Sequence, residues 1–300
     1  MGFQLKLEEG VGSGIRRVVT ERIEAAREEL ARPAAQRHQG VHEARKRFKE
    51  IRAVLRLVRE PLGKRYAEQN AWFRDAGRRL AAARDAQALL ETWDKLEGAN
   101  PRRLRSQAMV QCRERLEARL ARVSAAELKD SAAIEQVRDD LLGAAERLAA
   151  LPLPDGGAFS LLAAGWKRAY RQGRRRLKEA YRQGSDEAFH AWRKRIKDHW
   201  YHTKLLQPVW VDEMQTRRSA LKALSELVGD DHDLAVLRAT LAAEPELFGA
   251  AATRDSIDSL ATQRQQALRG EARGLGRRLY AERPTAHLER LQAYWEVWRG

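Results

Sequence analysis

The chain has 300 residues, 43% of them hydrophobic, which is enough for a sizeable core and excludes a disordered tail. Lys and Arg number 57 against 42 Asp and Glu, a formal charge of +15, so acids are plentiful and the basic excess is a matter of placement; a polyanionic partner is the first expectation. No apolar run approaches the roughly 18 residues of a membrane span, no secretory signal opens the sequence, and the single Cys112 excludes an internal disulfide and a cysteine metal cluster, with a reducing, cytoplasmic setting as the default.

Alanine, leucine, arginine and glutamate dominate and β-branched residues are sparse, which predicts an all-α fold. The apolar spacing predicts helices over 14–31, 40–60, 64–97, 101–122 and 126–150. Pro61 and Gly63 are expected to close the second of these, and Asn100-Pro101 to open the fourth as cap and first-turn proline. The stretch Leu151-Pro-Leu-Pro-Asp-Gly-Gly157 carries two prolines and two glycines and reads as a linker. It divides the chain into a first repeat over 1–151, a linker over 152–158 and a second repeat over 159–300. Helices are expected beyond it at 159–183, 186–207, 210–243, 254–282 and 285–298, so the order of the first half returns.

One segment makes the repetition explicit. His42-Glu-Ala-Arg45-Lys46-Arg47-Phe-Lys49 returns 148 positions later as His190-Ala-Trp-Arg193-Lys194-Arg195-Ile-Lys197, and Arg84-Asp85 maps onto His232-Asp233 at the same interval. On a helical wheel His42, Arg45, Lys46, Lys49, Arg52 and Arg56 crowd one face, opposite Ala44, Phe48, Ile51, Leu55 and Val58. In the second copy His190, Arg193, Lys194, Lys197, Tyr201 and Lys204 share a stripe, and the helix before it adds Arg168, Arg171 and Arg175. Such faces suit a chain of phosphates: arginine offers a planar fork of donors, lysine a mobile point charge, and neutral histidine a donor without added repulsion. The cationic neighbours of His42 and His190 disfavour a metal ion there, and no cofactor is expected.

Asp230-Asp231-His232-Asp233 is the place where a metal-dependent phosphohydrolase would sit. Only the aspartate recurs in the first half, so Asp85 and Asp233 are expected instead to hold basic-helix side chains in place. Nucleotide-binding loops, nucleophile elbows and paired-histidine zinc motifs are missing. The eight tryptophans fall mostly at helical spacing among apolar neighbours and are expected in the core.

These residues resemble the CHAD domain, the conserved histidine α-helical domain. The resemblance rests on Gly2-Phe-Gln-Leu-Lys6 before an amphipathic helix, the His42-x-x-Arg45-Lys46-x-x-Lys49 segment, its copy from His190, and the Arg84-Asp85 and Gly229-Asp-Asp-His232-Asp233 elements. It implies two pseudo-symmetric helical bundles around a basic central groove that binds inorganic polyphosphate, without enzymatic activity, and an association of some members with polyphosphate granules. Carried over, the binding positions are the two sets of basic residues named above. No Glu-x-Glu-x-Lys strand motif of the triphosphate-cleaving CYTH domain is present, so a stand-alone binding domain is expected. The rival readings are a helical RNA- or DNA-binding protein and the phosphohydrolase.

Overall fold

A computed structural model describes the backbone of residues 2–80, 82–129, 131–156 and 158–300, and the side chains of these except 82–84, 127–129 and 131. The described residues form α1 (Val11–Leu30), α2 (Arg37–Leu57), α3 (Arg59–Leu62), α4 (Lys64–Arg79), α5 (Ala82–Ala99) and α6 (Gln107–Lys129). They continue as α7 (Ser131–Ala149), α8 (Ser160–Gln183), α9 (Asp186–Leu205), α10 (Val211–Ala243), α11 (Ala251–Leu279) and α12 (Pro284–Arg299), with short 3-10 turns and no strand among the described residues. The fold is all-α.

Local chemistry sets these elements. In α1, Val11, Ile15, Val18, Val19, Ile23, Ala26 and Leu30 recur every three or four residues and are all buried. Between α8 and α9 the chain turns at Gly184, whose φ of 71° suits a residue without a Cβ. Ser185 then caps α9, its hydroxyl accepting from the Ala188 N–H at 3.3 Å, and Asp186 and Glu187 in the first turn complement the helix dipole.

Two sequence expectations fail. The helix expected over 64–97 is two helices, since α4 ends at Arg79 and α5 begins at Ala82. The Leu80 carbonyl at this break accepts from Arg45 Nη1 at 3.2 Å, a side-chain partner in place of a helical N–H. Its counterpart α10 runs unbroken through Gly229. Pro101 also does not open a helix: residues 101–106 form turns pinned by buried Leu104, and α6 starts at Gln107.

Among the described residues the buried apolar side chains gather in three clusters. One joins α1, α2, α4 and α7 to Trp166, Leu205 and Trp295 of the second half. Another joins Leu89, Trp93 and Cys112 of the first half to Leu237, Phe248 and Leu260 of the second. The third lies within α8 to α11, around Tyr170, Phe189, Trp192 and Tyr280. Residues 151–156, at the start of the expected linker over 152–158, fold back along α1: Arg16 Nη1 donates to the Leu153 carbonyl at 2.8 Å and Val11 N–H to the Gly156 carbonyl at 3.2 Å.

The C-terminal halves of α2 and α9 pack against each other. Ala53, Val54, Leu55 and Leu57 are fully buried, as are His202, Thr203 and Leu205. His202 Nε2 lies 2.8 Å from the Ala53 carbonyl. Two buried carboxylates tie the crossing. Arg56 Nη1 donates to Asp198 at 2.9 Å, and Lys204 Nζ to Glu50 at 3.0 Å. Within each helix Arg195 lies 3.2 Å from Asp198, and Arg47 lies 3.1 Å from Glu50. Adding 148 to 47, 50 and 56 gives 195, 198 and 204, so the two sets of pairs exchange roles between the helices, as contacts across a twofold axis do.

Candidate functional site

Beyond the crossing, the N-terminal halves of α2 and α9 turn basic side chains outward. On α2, His42, Lys46 and Lys49 are exposed, and Lys46 pairs with Glu43 at 3.0 Å. Arg45 is half-buried, bonded to the Leu80 carbonyl and 3.9 Å from Asp85, itself largely exposed. Arg52 Nε donates to Asn70 at 3.1 Å; burial first, and then the neighbouring Arg56 charge, push its guanidinium down to about 10.

On α9, Lys194 is exposed while His190, Arg193 and Lys197 are half-buried. The His190 ring lies against His232 of α10, centroids 4.0 Å apart. Burial, reinforced by the cations Arg193 and Lys194, lowers His190 to about 4, and burial with the same neighbours lowers His232 to about 4. Both rings are therefore neutral at pH 7, and the buried Nδ1 of His190 has no hydrogen-bond partner among the described residues. Lys197 sits 5.3 Å from the Trp200 ring, its ammonium pushed down by burial and by Arg193. Burial and the nearby Arg195 and Arg176 also lower Lys194. Cations held down in this way gain from an anion.

Other expected residues lie elsewhere. Tyr201 points into the core, 6% exposed and edge-on to Phe3 at 6.1 Å, because α9 is buried on that side where it meets the N-terminal segment. Arg56 and Lys204 are engaged by the buried carboxylates of the crossing. On α8, Arg168 pairs with Glu60 at 2.9 Å, whereas Arg171 and Arg175 are exposed, the latter 3.4 Å from Glu179.

The residues at 230–233 do not all converge on one point. Asp230 pairs with Lys95 of α5 at 2.6 Å, and buried Asp231 accepts from Arg269 Nε at 2.6 Å. His232 faces His190, and Asp233 lines a cavity of about 330 Å³ with Lys95 and Arg264. Asp230 and Asp233, one turn apart on α10, line this cavity together, whereas Asp231 and His232 point elsewhere. Among the described residues no group of three His, Cys, Asp or Glu side chains is arranged to hold a metal ion.

The carboxylates Glu50 and Asp198 escaped the sequence reading, although each stands three residues after an arginine of the repeated segment, at positions 148 apart. That spacing, which suits a helical ion pair, was the available signal.

The model of the CHAD domain matches residues 17–242. The chain belongs to the CHAD domain family. CHAD domains are known in general for binding polyphosphate, and the family is one of binding domains rather than enzymes. Comparison with curated proteins finds no match. Among the described residues of this CHAD domain, no helix is long and apolar enough to cross a membrane.

Proposed function

We propose that this CHAD domain binds inorganic polyphosphate along the basic faces of α2 and α9, with His42, Arg45, Lys46 and Lys49 on one side of the polymer and His190, Arg193, Lys194 and Lys197 on the other. The observation that carries this reading is the pair of matched histidine-headed helices, anchored to each other at their C-terminal halves and basic along their N-terminal halves. The chemistry is binding without bond cleavage. Arginine forks and lysine ammoniums meet the phosphate oxygens through charge-assisted hydrogen bonds. Neutral His190 adds an N–H donor inside a cationic surface without adding charge repulsion. An affinity for the polymer would carry the protein to polyphosphate granules.

Binding by many ionic contacts depends on salt. By analogy with nucleic acids, each phosphate neutralised adds roughly 0.7 to 0.9 to the log–log slope of affinity against salt. Titration of labelled polyphosphate at rising salt should show a steep fall, and a flat response overturns the electrostatic mechanism. Replacing Arg45, Lys49, Arg193 and Lys197 together with alanine should abolish binding with helix content intact. Long polyphosphate should displace labelled RNA at physiological salt; the reverse preference assigns the faces to nucleic acid. Polymer length should persist in the presence of Mg²⁺ or Mn²⁺, and release of phosphate would make the domain a hydrolase.

A further inference from the structure

Where α2 and α3 meet α8 and α9, a pit of about 40 Å³ opens beside the crossing. About 10–15 Å³ of such space holds a water molecule, so the pit has room for one tetrahedral phosphoryl group. Four guanidiniums line it, those of Arg56, Arg59, Arg168 and Arg195.

Each is held in place. Arg56 and Arg195 are fixed by opposite oxygens of Asp198, at 2.9 and 3.2 Å. Arg195 Nη1 also donates to Gln172 at 2.9 Å. Arg59 lies over the Tyr66 ring at 4.8 Å, and Arg168 is tethered to Glu60 at 2.9 Å. Four positive charges against the two carboxylates leave a net of two, which matches a phosphoryl dianion. Donors whose rotamers are already fixed lose little entropy on binding.

Two small residues of α8, Gly165 and Ala169, line the pit. Gly165 lets α8 approach α2 so closely that a Cβ there would lie 1.8 Å from the Leu57 carbonyl oxygen, and Ala169 lies one turn further along. The residues 148 positions earlier are Arg17 and Glu21. They are large and mutually paired at 3.1 Å. At the place equivalent to the Leu57 carbonyl, the Leu205 carbonyl accepts from the Leu5 N–H at 3.0 Å, and Arg17 is bonded to Glu9 and Glu21, whereas the pit on the α8 side is lined by arginines.

We infer that the pit between α2, α3, α8 and α9 is a binding site for one phosphoryl dianion, separate from the polymer-binding faces and independent of them. Two sources supply this chemistry, free orthophosphate and the terminal group of a linear chain. Calorimetric titration of the full chain with inorganic phosphate at constant ionic strength should show saturable uptake of one equivalent. Arg59→Ala should weaken uptake about tenfold or more, the loss expected for a charge-assisted hydrogen bond. Ala169→Glu, which places a carboxylate in the pit, should abolish uptake. Both variants should keep wild-type helix content and wild-type retention of long polyphosphate. If linear tripolyphosphate displaces the phosphate and cyclic trimetaphosphate, which has no chain end, does not, the chain end is the occupant. If neither displaces it, the occupant is free phosphate. Absence of saturable uptake by the wild type, or undiminished uptake in either variant, overturns the site. The Arg45, Lys49, Arg193 and Lys197 alanine variant should keep phosphate uptake while losing the long polymer, so the two readings fail separately.

Discussion

Glu50 shows at the scale of one residue how the basic surface is kept in place. It is fully buried on α2 and is approached by Arg47 at 3.1 Å, Lys204 at 3.0 Å and Arg22 at 3.9 Å. Its negative charge lets three cations crowd together, and removing one member of such a buried set leaves the rest uncompensated. Glu50→Gln should cost about 3–5 kcal/mol in urea unfolding. Adding Lys204→Met should restore part of that loss, because it also removes the orphaned ammonium; additive losses would show that the pair is not coupled. The residue types of this set were legible in the sequence, but their roles were not. Arg56 and Lys204 share wheel faces with Lys49 and Lys197, and only the approach of the opposite helix gives them Asp198 and Glu50 as partners.

The same division runs through whole elements. Apolar periodicity placed α1, α2, α8, α9 and α10 to within a few residues, because one face of each must leave water whatever it packs against. It missed the break between α4 and α5, where the apolar pattern carries on but a guanidinium from another helix takes the Leu80 carbonyl. It also did not reveal how closely α8 and α2 approach. Gly165→Ala should destabilise the fold by about 1–3 kcal/mol, since its Cβ would meet backbone that has no rotamer to yield. Gly270→Ala on α11, where nothing lies within 4 Å, should instead stabilise by about 0.5–1 kcal/mol through helix propensity. Thermal melts of the two variants test the difference, and equal effects would contradict the close packing.

For the molecule as a whole, the buried histidines link stability to pH. His199, His202 and His287 are each about 1% exposed: His199 and His287 pack among aromatic rings, His202 Nε2 lies on the Ala53 carbonyl, and His287 Nδ1 lies 3.1 Å from Glu282 and 3.3 Å from Arg290. Burial lowers His202 to about 4 and His287 to about 2, and holds His199 well below its ordinary value. Above pH 6.5 these rings are neutral whether the chain is folded or unfolded. Below it the unfolded chain takes up protons that the folded chain refuses, so stability falls from about pH 6.5 towards pH 4. For His202 alone the loss at pH 5 is roughly 2 kcal/mol. The urea midpoint should drop accordingly between pH 7 and pH 5, and His202→Gln should flatten the slope. A midpoint unchanged over that range would show that these histidines are not buried as neutral rings.

The sequence by itself determined the helical class, the basic faces and the 148-residue interval, because periodicity and charge placement are properties of single helices. Only the tertiary structure decided which cations face outward and which pair with Glu50 and Asp198. It alone placed His232 against His190 and opened a pit beside the crossing. Those outcomes depend on how closely two helices approach. That distance is set by side-chain volumes, as where Gly165 meets the Leu57 backbone far away in the chain.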